Sequence, residues 1–544
     1  MSLTRYDIWN VKPGQDGGLI TRVMAARGLK SEDLIRHELY DPFLLPDMSA
    51  AANRVFRALE KREKIAIYGD FDADGVTACS LVCEYLRQRD ADCLCYIPNR
   101  AQGYGVHVSS LEKLIRDHGV SLIITVDVGS TAFDAAEYLK TQDVDLVITD
   151  HHACRDTLPD AAAVVNPHRA DSVYPYTELA GAGVAFKLVC AVESLFDLPD
   201  GAEQIFARYG DLAAIGTIAD SVPLTGENRA IAAAGLKHMD KRPGIKALLT
   251  AAGASDRALD EQLVGYTIAP IINAAGRMAH ARTAGRLLLG QDPVECNAIA
   301  QTLIDLNNQR RTVELEIFNQ ACRKIKDAEA HAIVLADTNW HQGVIGIVAS
   351  RLADKYRKPV FLIARDGEQG KGSARGLPGG RPLSAVLAGC ADCLINFGGH
   401  DRAAGFSLDY SRVDEFRARV NEVIGESAEA GRELDIDTIA RWNELTLASA
   451  YELARLGPYG AGNPEPVLMV ENARVTGITP MGGGKHCRLA VSAEDMPLTI
   501  VAFGYRAEDF EVARPIDMAV TLGVNNFRGK TSVQIGLRDF RWHD

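Results

Sequence analysis

Two hydrophobic periods divide the chain. In its first half, short apolar runs recur at Ile65–Tyr68, in LCYIPNR (Leu94–Arg100), SLIITVDVG (Ser121–Gly129), VDLVITDHH (Val144–His152) and AAVVNP (Ala162–Pro167). Between the first two, Val76, Cys79, Val82, Cys83 and Leu86 return at helical spacing. Runs this short with polar ends predict strands, and the 3.6-residue spacing predicts helices. Their alternation predicts a parallel sheet with helices on both faces. Residues 1–63 read as a mostly helical lead-in to that sheet, with YDPFLLPDM as a Pro-punctuated connector. Pro293–Ala330 carries Ile299, Leu303, Leu306, Val313, Leu315 and Ile317 with no internal Gly or Pro, which predicts a long helix bridging two domains. An amphipathic helix packed within one domain is the competing reading. After HAIVLADTNW the text is α/β again, and beyond Glu465 it shortens to PVLMVENARVTGI, HCRLAVSA, LTIVAFG, DMAVTLGVNNF and TSVQIGLRDF. Turn-separated strands of this kind suit a small β-barrel.

The fold class is therefore α/β: a parallel-sheet domain joined by a long helix to a smaller α/β domain, plus a C-terminal β-barrel. The expected divisions are 1–63, 64–235, 236–330, 331–425 and 426–544.

Composition narrows the picture. A chain of 544 residues needs several cores. At 47% hydrophobic and 24% charged, with no apolar run long enough to span a bilayer, it reads as an ordinary soluble protein. MSLTRYDIWNVKPGQ lacks the basic-then-apolar layout of a secretory signal, so a cytoplasmic protein is expected. Eleven scattered cysteines give no disulfide framework. Cys390 and Cys393 are expected to pack on one helix face with Val386, Leu387 and Leu394. A net charge of −13 argues against a broad basic face for duplex binding, but leaves room for one basic groove.

The strand ends carry the chemistry. KIAIYGDFDADGVT places Asp70, Asp72 and Asp74 where a strand gives way to a helix, the edge at which open α/β sheets bind ligands. Three clustered carboxylates repel, and a cation relieves them. A solvated, helix-capping turn is a poor alternative for three acids. An EF-hand fails because Leu81 occupies the twelfth position and a strand precedes the loop. An aspartyl-phosphate phosphatase would not explain the histidines that follow. Asp127 and then Asp150, His151 and His152 end later strands, and Asp220 lies in AAIGTIADSVPL. Carboxylate plus imidazole suits Mn²⁺ or Mg²⁺, with His favouring manganese. Because neighbours on a strand point to opposite sides, His151 and His152 are expected to differ in role, one toward metal and one toward substrate.

YGDFDADGVTA, VDVG, DHH and GTIADSVPL, in this order, resemble the DHH phosphoesterase superfamily and within it the RecJ single-strand-specific exonucleases. TIAPIINAAGRM, WHQGVIGIVASRL, GSARG, NFGGHDRAAGFSL and LGPYGAGNPEPV extend the similarity over nearly the whole chain. The resemblance implies a DHHA1 domain, an OB-fold and two divalent ions, Mn²⁺ preferred and Mg²⁺ accepted. By the same similarity Asp127 bridges the ions, Asp72 binds one, and Asp74, His151 and Asp220 bind the other. His152 touches the scissile phosphate or assists the leaving group, and Asp150 orients the His pair. Tyr68 stands where some superfamily members have a metal-binding His, and Asp70 is left as a ligand or as a support behind one. Arg100, Arg277, Ser373, Arg375 and His400 fall in motifs that converge on substrate phosphates, including the 5′ end. Gly380 departs from the apolar residue common after PG in the family.

The implied activity is 5′-to-3′ hydrolysis of single-stranded DNA by two metal ions, in repair and recombination. The implied protein is a monomer, with a helicase and a single-strand-binding protein as partners. Phe503 and Phe527 are candidates for base stacking, with Lys485, Arg488, Arg528 and Lys530 near the backbone, although core packing is the stronger reading of each aromatic taken alone. Two rivals remain at this stage: a DHH phosphodiesterase for short RNA or cyclic dinucleotides, and a non-catalytic single-strand-binding scaffold.

Overall fold

Burial on both faces turns the apolar runs of the first half into a parallel sheet, and the strand ends of that sheet position the acidic residues. The architecture is taken from a computed structural model that describes residues 5–13, 16–30, 39–325, 331–425, 431–493, 496–527 and 530–543. The chain begins with β1 (Ile8–Val11), α1 (Leu19–Ala26) and α2 (Met48–Glu60). The first sheet follows: β2 (Ile65–Gly69), β3 (Cys93–Tyr96), β4 (Leu122–Val126), β5 (Asp145–Thr149) and β6 (Ala163–Val165), in the order β3-β2-β4-β5-β6. All four pairings are parallel. β2 and β4 are buried at every position, as central strands covered by helices on both faces must be.

α3 (Ala73–Gln88) follows β2 directly and is capped by Asp72, which accepts the Gly75 N–H at 3.0 Å. Further helices cover the sheet and lead to Pro293–Lys324, a helix of 32 residues, roughly 48 Å long at 1.5 Å per residue. Asp292 caps its start by accepting from Val294 and Glu295. It packs on Pro243–Ala251 and Ala269–Met278 of the first unit and on Ile345–Tyr356 of the next, so it bridges the two. Its helix stops at Lys324, and residues 326–330 of the expected connector lie outside the described residues. Leu315 faces outward.

The second sheet contains β7 (Ile333–Asp337), β8 (Val360–Asp366), β9 (Gln369–Arg375), β10 (Asn396–Gly399) and β11 (Ala403–Asp409), in the order β10-β11-β9-β8-β7. Only the β7–β8 pairing is parallel. Cys390 and Cys393 are both buried in its core, but not on one helix face as expected. The helix Leu383–Ala388 ends before them, and Cys393 closes a separate 3₁₀ turn.

β12 (Glu433–Ile436) and β13 (Thr438–Ile439) precede the barrel strands β14 (Leu468–Met481), β15 (His486–Ala493), β16 (Met496–Ala502), β17 (Pro515–Phe527) and β18 (Lys530–Trp542). β14 pairs with both β15 and β17, which closes a five-stranded barrel consistent with an OB-fold.

The N-terminus departs from its expected role as a lead-in to the first sheet. β1 pairs in parallel with β12, and Leu19, Val23 and Met24 of α1 join the barrel core. Buried Asp539 accepts from the Arg5 backbone N–H, the Trp9 indole and the Tyr505 hydroxyl. Among the described residues of this stretch, Leu39, Leu45 and α2 pack with the first sheet's core. An apolar stripe announces that a helix has a partner without saying which distant surface it is. Among the described residues, no helix is long and apolar enough to cross a membrane.

Candidate active site

Three neighbouring strands deliver the site. β2, β4 and β5 lie side by side, and the residues that follow each one meet at their C-terminal ends. The ladder runs one residue past β4, where the Asp127 N–H donates to the Thr149 carbonyl at 3.0 Å. Asp127 then turns with φ 60°, a left-handed conformation in which Asp is among the more tolerant side chains. Its carboxylate is pressed by the helix Gly181–Glu193, since a Cβ on Gly181 would stand 2.5 Å from the Asp127 Cβ.

The remaining acids surround it. Oxygens of Asp70, Asp72 and Asp127 converge within 4.8 Å of one another, as do ligand atoms of Asp74, His151 and Asp220, and those of Asp127, His151 and His152. Asp74 accepts the N–H groups of Gly181 and Ala182 at 2.7 and 2.9 Å, so it also caps the helix pressing on Asp127. Asp220 stands at the C-terminal end of the helix Ala202–Ala219. The backbone N–H of Ala73 is held by Asn273 Oδ1 at 2.9 Å, which fixes the acidic turn against the helix Ala269–Met278.

The two histidines are not split across a strand as expected. β5 ends at Thr149, so alternation no longer applies, and their rings lie 4.5 Å apart in one site. Their partners nevertheless differ. His151 Nε2 faces Asp127 Oδ1 at 3.1 Å and Asp220 at 3.7 Å. His152 Nδ1 meets Asp150 Oδ1 at 2.8 Å, and Asp150 also accepts the N–H groups of Ser130, His151 and His152.

Protonation follows these surroundings. Burial and then Asp72 push Asp70 up to about 7, and burial and then Asp72 push Asp220 up to about 6. Burial, with neighbouring carboxylates next, holds Asp74 and Asp127 well above the usual carboxylate range. Burial and then the neighbouring His152 press His151 down to about 4, leaving the ring neutral around pH 7. Burial opposes charge on His152, but the Asp150 hydrogen bond and charge outweigh it and lift the ring to about 9. Burial would raise Asp150 as well, yet the His152 contact holds it below the ordinary carboxylate range.

This donor set fits divalent cations. Asp127 Oδ1 and His151 Nε2 are buried without a hydrogen-bond partner although they face each other. Such a pair of orphaned ligand atoms, among mutually repelling carboxylates, is satisfied by a positive ion. Because Asp70 and Asp220 bind protons in the folded state at a pH where the unfolded chain has released them, the metal-free fold loses stability as pH rises from about 4 to about 7. Metal binding, which needs the same groups ionised, strengthens over that window. The rise in melting temperature caused by Mn²⁺ over chelator should therefore grow between about pH 5 and about pH 8. A shift that shrinks with pH would contradict this.

A second cluster adjoins the first. Arg100 stacks 4.6 Å from the Phe71 ring centroid and feels both Asp70 and Asp72. Arg277 donates to the Gly343 carbonyl at 2.9 Å, and burial followed by Arg100, Arg310 and Arg375 lowers it to about 9. Arg375 donates to Ser350 Oγ and Ser373 Oγ at 3.0 and 3.2 Å. None of Arg100, Arg277 and Arg375 makes an ion pair among the described residues. Half-buried guanidinium groups crowding one another, none of them in an ion pair among the described residues, form a ready site for phosphate.

Ser373 and Arg375 lie on β9, so the glycine before them is not there for a turn. Gly372 serves packing instead, since a Cβ there would stand 2.1 Å from the Phe406 ring. His400 follows β10 with an exposed ring, and its backbone N–H donates at 2.8 Å to the carbonyl of Ala403, the β11 residue paired with Arg375.

Four further residues belong to the surroundings. The Tyr104 hydroxyl lies 3.0 Å from His152 Nδ1, with the rings 5.2 Å apart. Arg310, on the bridging helix, is held by Asn307 and by Glu314 at 2.7 Å, and Glu314 also binds Arg351. Asn307, Arg310 and Glu314 occupy buried positions of a stripe otherwise filled by Ile299, Leu303, Ile317 and Ala321. Polar residues at apolar positions were the readable signal for that contact. Tyr104 left none.

The comparisons agree with this arrangement. The family model described as the DHH family, N-terminal domain, matches residues 64–217, the DHHA1 domain matches 329–426 and the RecJ OB domain matches 436–539. The single-stranded-DNA-specific exonuclease RecJ of Dickeya dadantii is 33% identical, covering 95% of this chain and 95% of its own length. That of Bacillus subtilis is 36% identical over 96% of this chain and 67% of its own length. A crystal structure of RecJ in complex with Mn²⁺ from Thermus thermophilus superposes with a TM-score of 0.84 at 31% identity, covering 99% of this chain and 80% of that one. The chain belongs to the RecJ family of single-stranded-DNA-specific exonucleases.

Proposed function

We propose that this protein hydrolyses phosphodiester bonds of single-stranded DNA from the 5′ end, using two divalent ions. The observation that carries the reading is the junction of the two clusters: orphaned carboxylate and imidazole atoms stand beside arginines without acidic partners, with Arg100 between them. Asp70, Asp72 and Asp127 would hold one ion, and Asp74, His151, Asp220 and again Asp127 the other, with Mn²⁺ favoured by the imidazole. The chemistry such ions supply when bound is activation of water and neutralisation of charge developing on the phosphate.

The chain's own groups do the rest. Arg277, Arg375 and Ser373 take the terminal 5′ phosphate, and Arg100 spans from there toward the scissile one. With Nδ1 of His152 engaged by Asp150, Nε2 is left to donate to the phosphate or to the departing 3′ oxygen. Replacing Arg375 with Met should reduce the preference for 5′-phosphorylated over 5′-hydroxyl ends about tenfold or more. An unchanged end preference would remove it from the phosphate site.

The barrel supplies the grip on the incoming strand. Phe503 is 51% exposed beside His486, and Lys485 and Arg488 are exposed on either side of that histidine, while Lys530 is exposed at the start of β18, at the other end of its pairing with β16. Arg528 and the side chain of Phe527 lie outside the described residues. A barrel is of no use to a dinucleotide. Comparing kcat/KM for a long single strand and for a dinucleotide tests the reading: the long strand should be favoured by about 10² or more, and equal turnover would place the enzyme among phosphodiesterases for very short substrates.

A further inference from the structure

Away from the acidic edge, α3 and β3 face each other through sulfur. Cys79 and Cys83 lie one helical turn apart on α3, and Cys93 and Cys95 lie two residues apart on β3, so each pair presents its side chains to one seam. Cys83 Sγ and Cys93 Sγ are 3.8 Å apart, an ordinary contact. Cys79 Sγ and Cys95 Sγ are 2.8 Å apart, about 0.8 Å more than a bonded pair of sulfurs. Cys79 is wholly buried, whereas Cys95 is only half-buried because β3 is the edge strand of its sheet. The seam is not a metal site, since no three of these sulfurs lie mutually within 4.8 Å among the described residues.

We propose that Cys79 and Cys95 form a peroxide-sensitive dithiol whose oxidation ties α3 to β3 and reversibly slows the enzyme. The Cys95 thiolate attacks one oxygen of hydrogen peroxide, the O–O bond breaks, and the departing hydroxide takes a proton to leave as water. Cys95 is now a sulfenic acid. The Cys79 sulfur attacks that sulfur, the S–O bond breaks, and a second water leaves with the Cys79 proton as the S–S bond forms. The two sulfurs together lose the two electrons that peroxide gains.

The slowing follows from packing. α3 has no slack at its start, because a Cβ on Gly75 would stand 2.6 Å from the Asp70 backbone nitrogen and oxygen, and one on Gly69 would stand 2.9 Å from the Cys79 Cβ. Drawing α3 toward β3 therefore moves the turn that carries Asp70, Asp72 and Asp74, and β3 itself leads into Arg100. Misplacing catalytic groups by about 1 Å costs on the order of 10² in rate. This slowing rests on the nuclease reading, but the disulfide does not.

The test treats the full-length protein with hydrogen peroxide, blocks remaining thiols with N-ethylmaleimide, and maps non-reduced peptides with fragmentation that separates the two pairs. A bond joining Cys79 to Cys95 is expected, together with a loss of single-strand hydrolysis of about tenfold or more that dithiothreitol reverses and Cys95→Ser does not show. Finding Cys79 and Cys95 alkylated, Cys95 carried to sulfinic acid, or the bond on Cys83 and Cys93 alone would overturn the site. A mapped Cys79–Cys95 bond with unchanged hydrolysis would overturn the coupling and leave the nuclease reading intact. A protein inactive before treatment would defeat the nuclease reading while the map still decides the site. The map on the unsubstituted protein decides it even where the variant folds poorly.

Discussion

Asp127→Asn should lower hydrolysis of single-stranded DNA by about 10³-fold or more, the scale expected when several kcal/mol of charge stabilisation are removed. Strand binding should survive, because the arginine cluster and the barrel are untouched. Asparagine is the informative substitution: it keeps the shape that Gly181 packs against, and it tolerates the left-handed backbone at this position. It also removes one of several buried, repelling carboxylates. The metal-free variant should therefore melt at a higher temperature than the metal-free parent, while Mn²⁺ no longer raises it to the same extent. Hydrolysis by single turnover, strand binding by anisotropy and melting with chelator or Mn²⁺ check the three parts separately. Full activity in this variant, or loss of strand binding with the fold intact, would contradict the assignment.

Asp150→Asn carries the second large effect. Asp150 gathers three backbone N–H groups and the Nδ1 of His152 on one buried carboxylate, and its charge lifts the ring to about 9. Linkage gives the sign. A raised His value stabilises the folded protein fully below the ordinary value near 6.5, and that contribution is lost as pH climbs through about 9. Without the carboxylate the ring gives up its proton at a lower pH. With both proteins loaded with Mn²⁺, the alkaline fall of kcat/KM should therefore begin lower in the variant than in the parent, and the plateau rate should drop by about 10²- to 10⁴-fold. The amide must also turn an N–H toward one backbone donor, a clash that costs about 1–3 kcal/mol of stability. An alkaline limb that stays in place would separate His152 from proton donation.

How far the sequence carries is clear from particular residues. The acidic edge was legible because each of its parts follows a contiguous strand, so that the ends of Ile65–Tyr68, SLIITV and VDLVIT announce one sheet edge without knowledge of long-range contacts. Strand alternation misplaced the His pair because it assumed three more residues of β5 than form. The dual engagement of Asp74, which caps a helix more than a hundred residues away, has no local signature. The same holds for the N-terminus, whose β1 pairs with β12 across the length of the chain. Gly372 shows a packing role with no local signature, since the Phe406 ring that excludes a side chain there lies on another strand.

The central claim is that the carboxylate and imidazole edge works with divalent ions on a strand whose 5′ end the arginines hold. It is tested most directly on single-stranded DNA labelled separately at each end, incubated with Mn²⁺ or with chelator. Release of mononucleotides from the 5′-labelled end in Mn²⁺, and none in chelator, is the predicted result. Release beginning at the 3′ label, or cleavage indifferent to chelator, would contradict it.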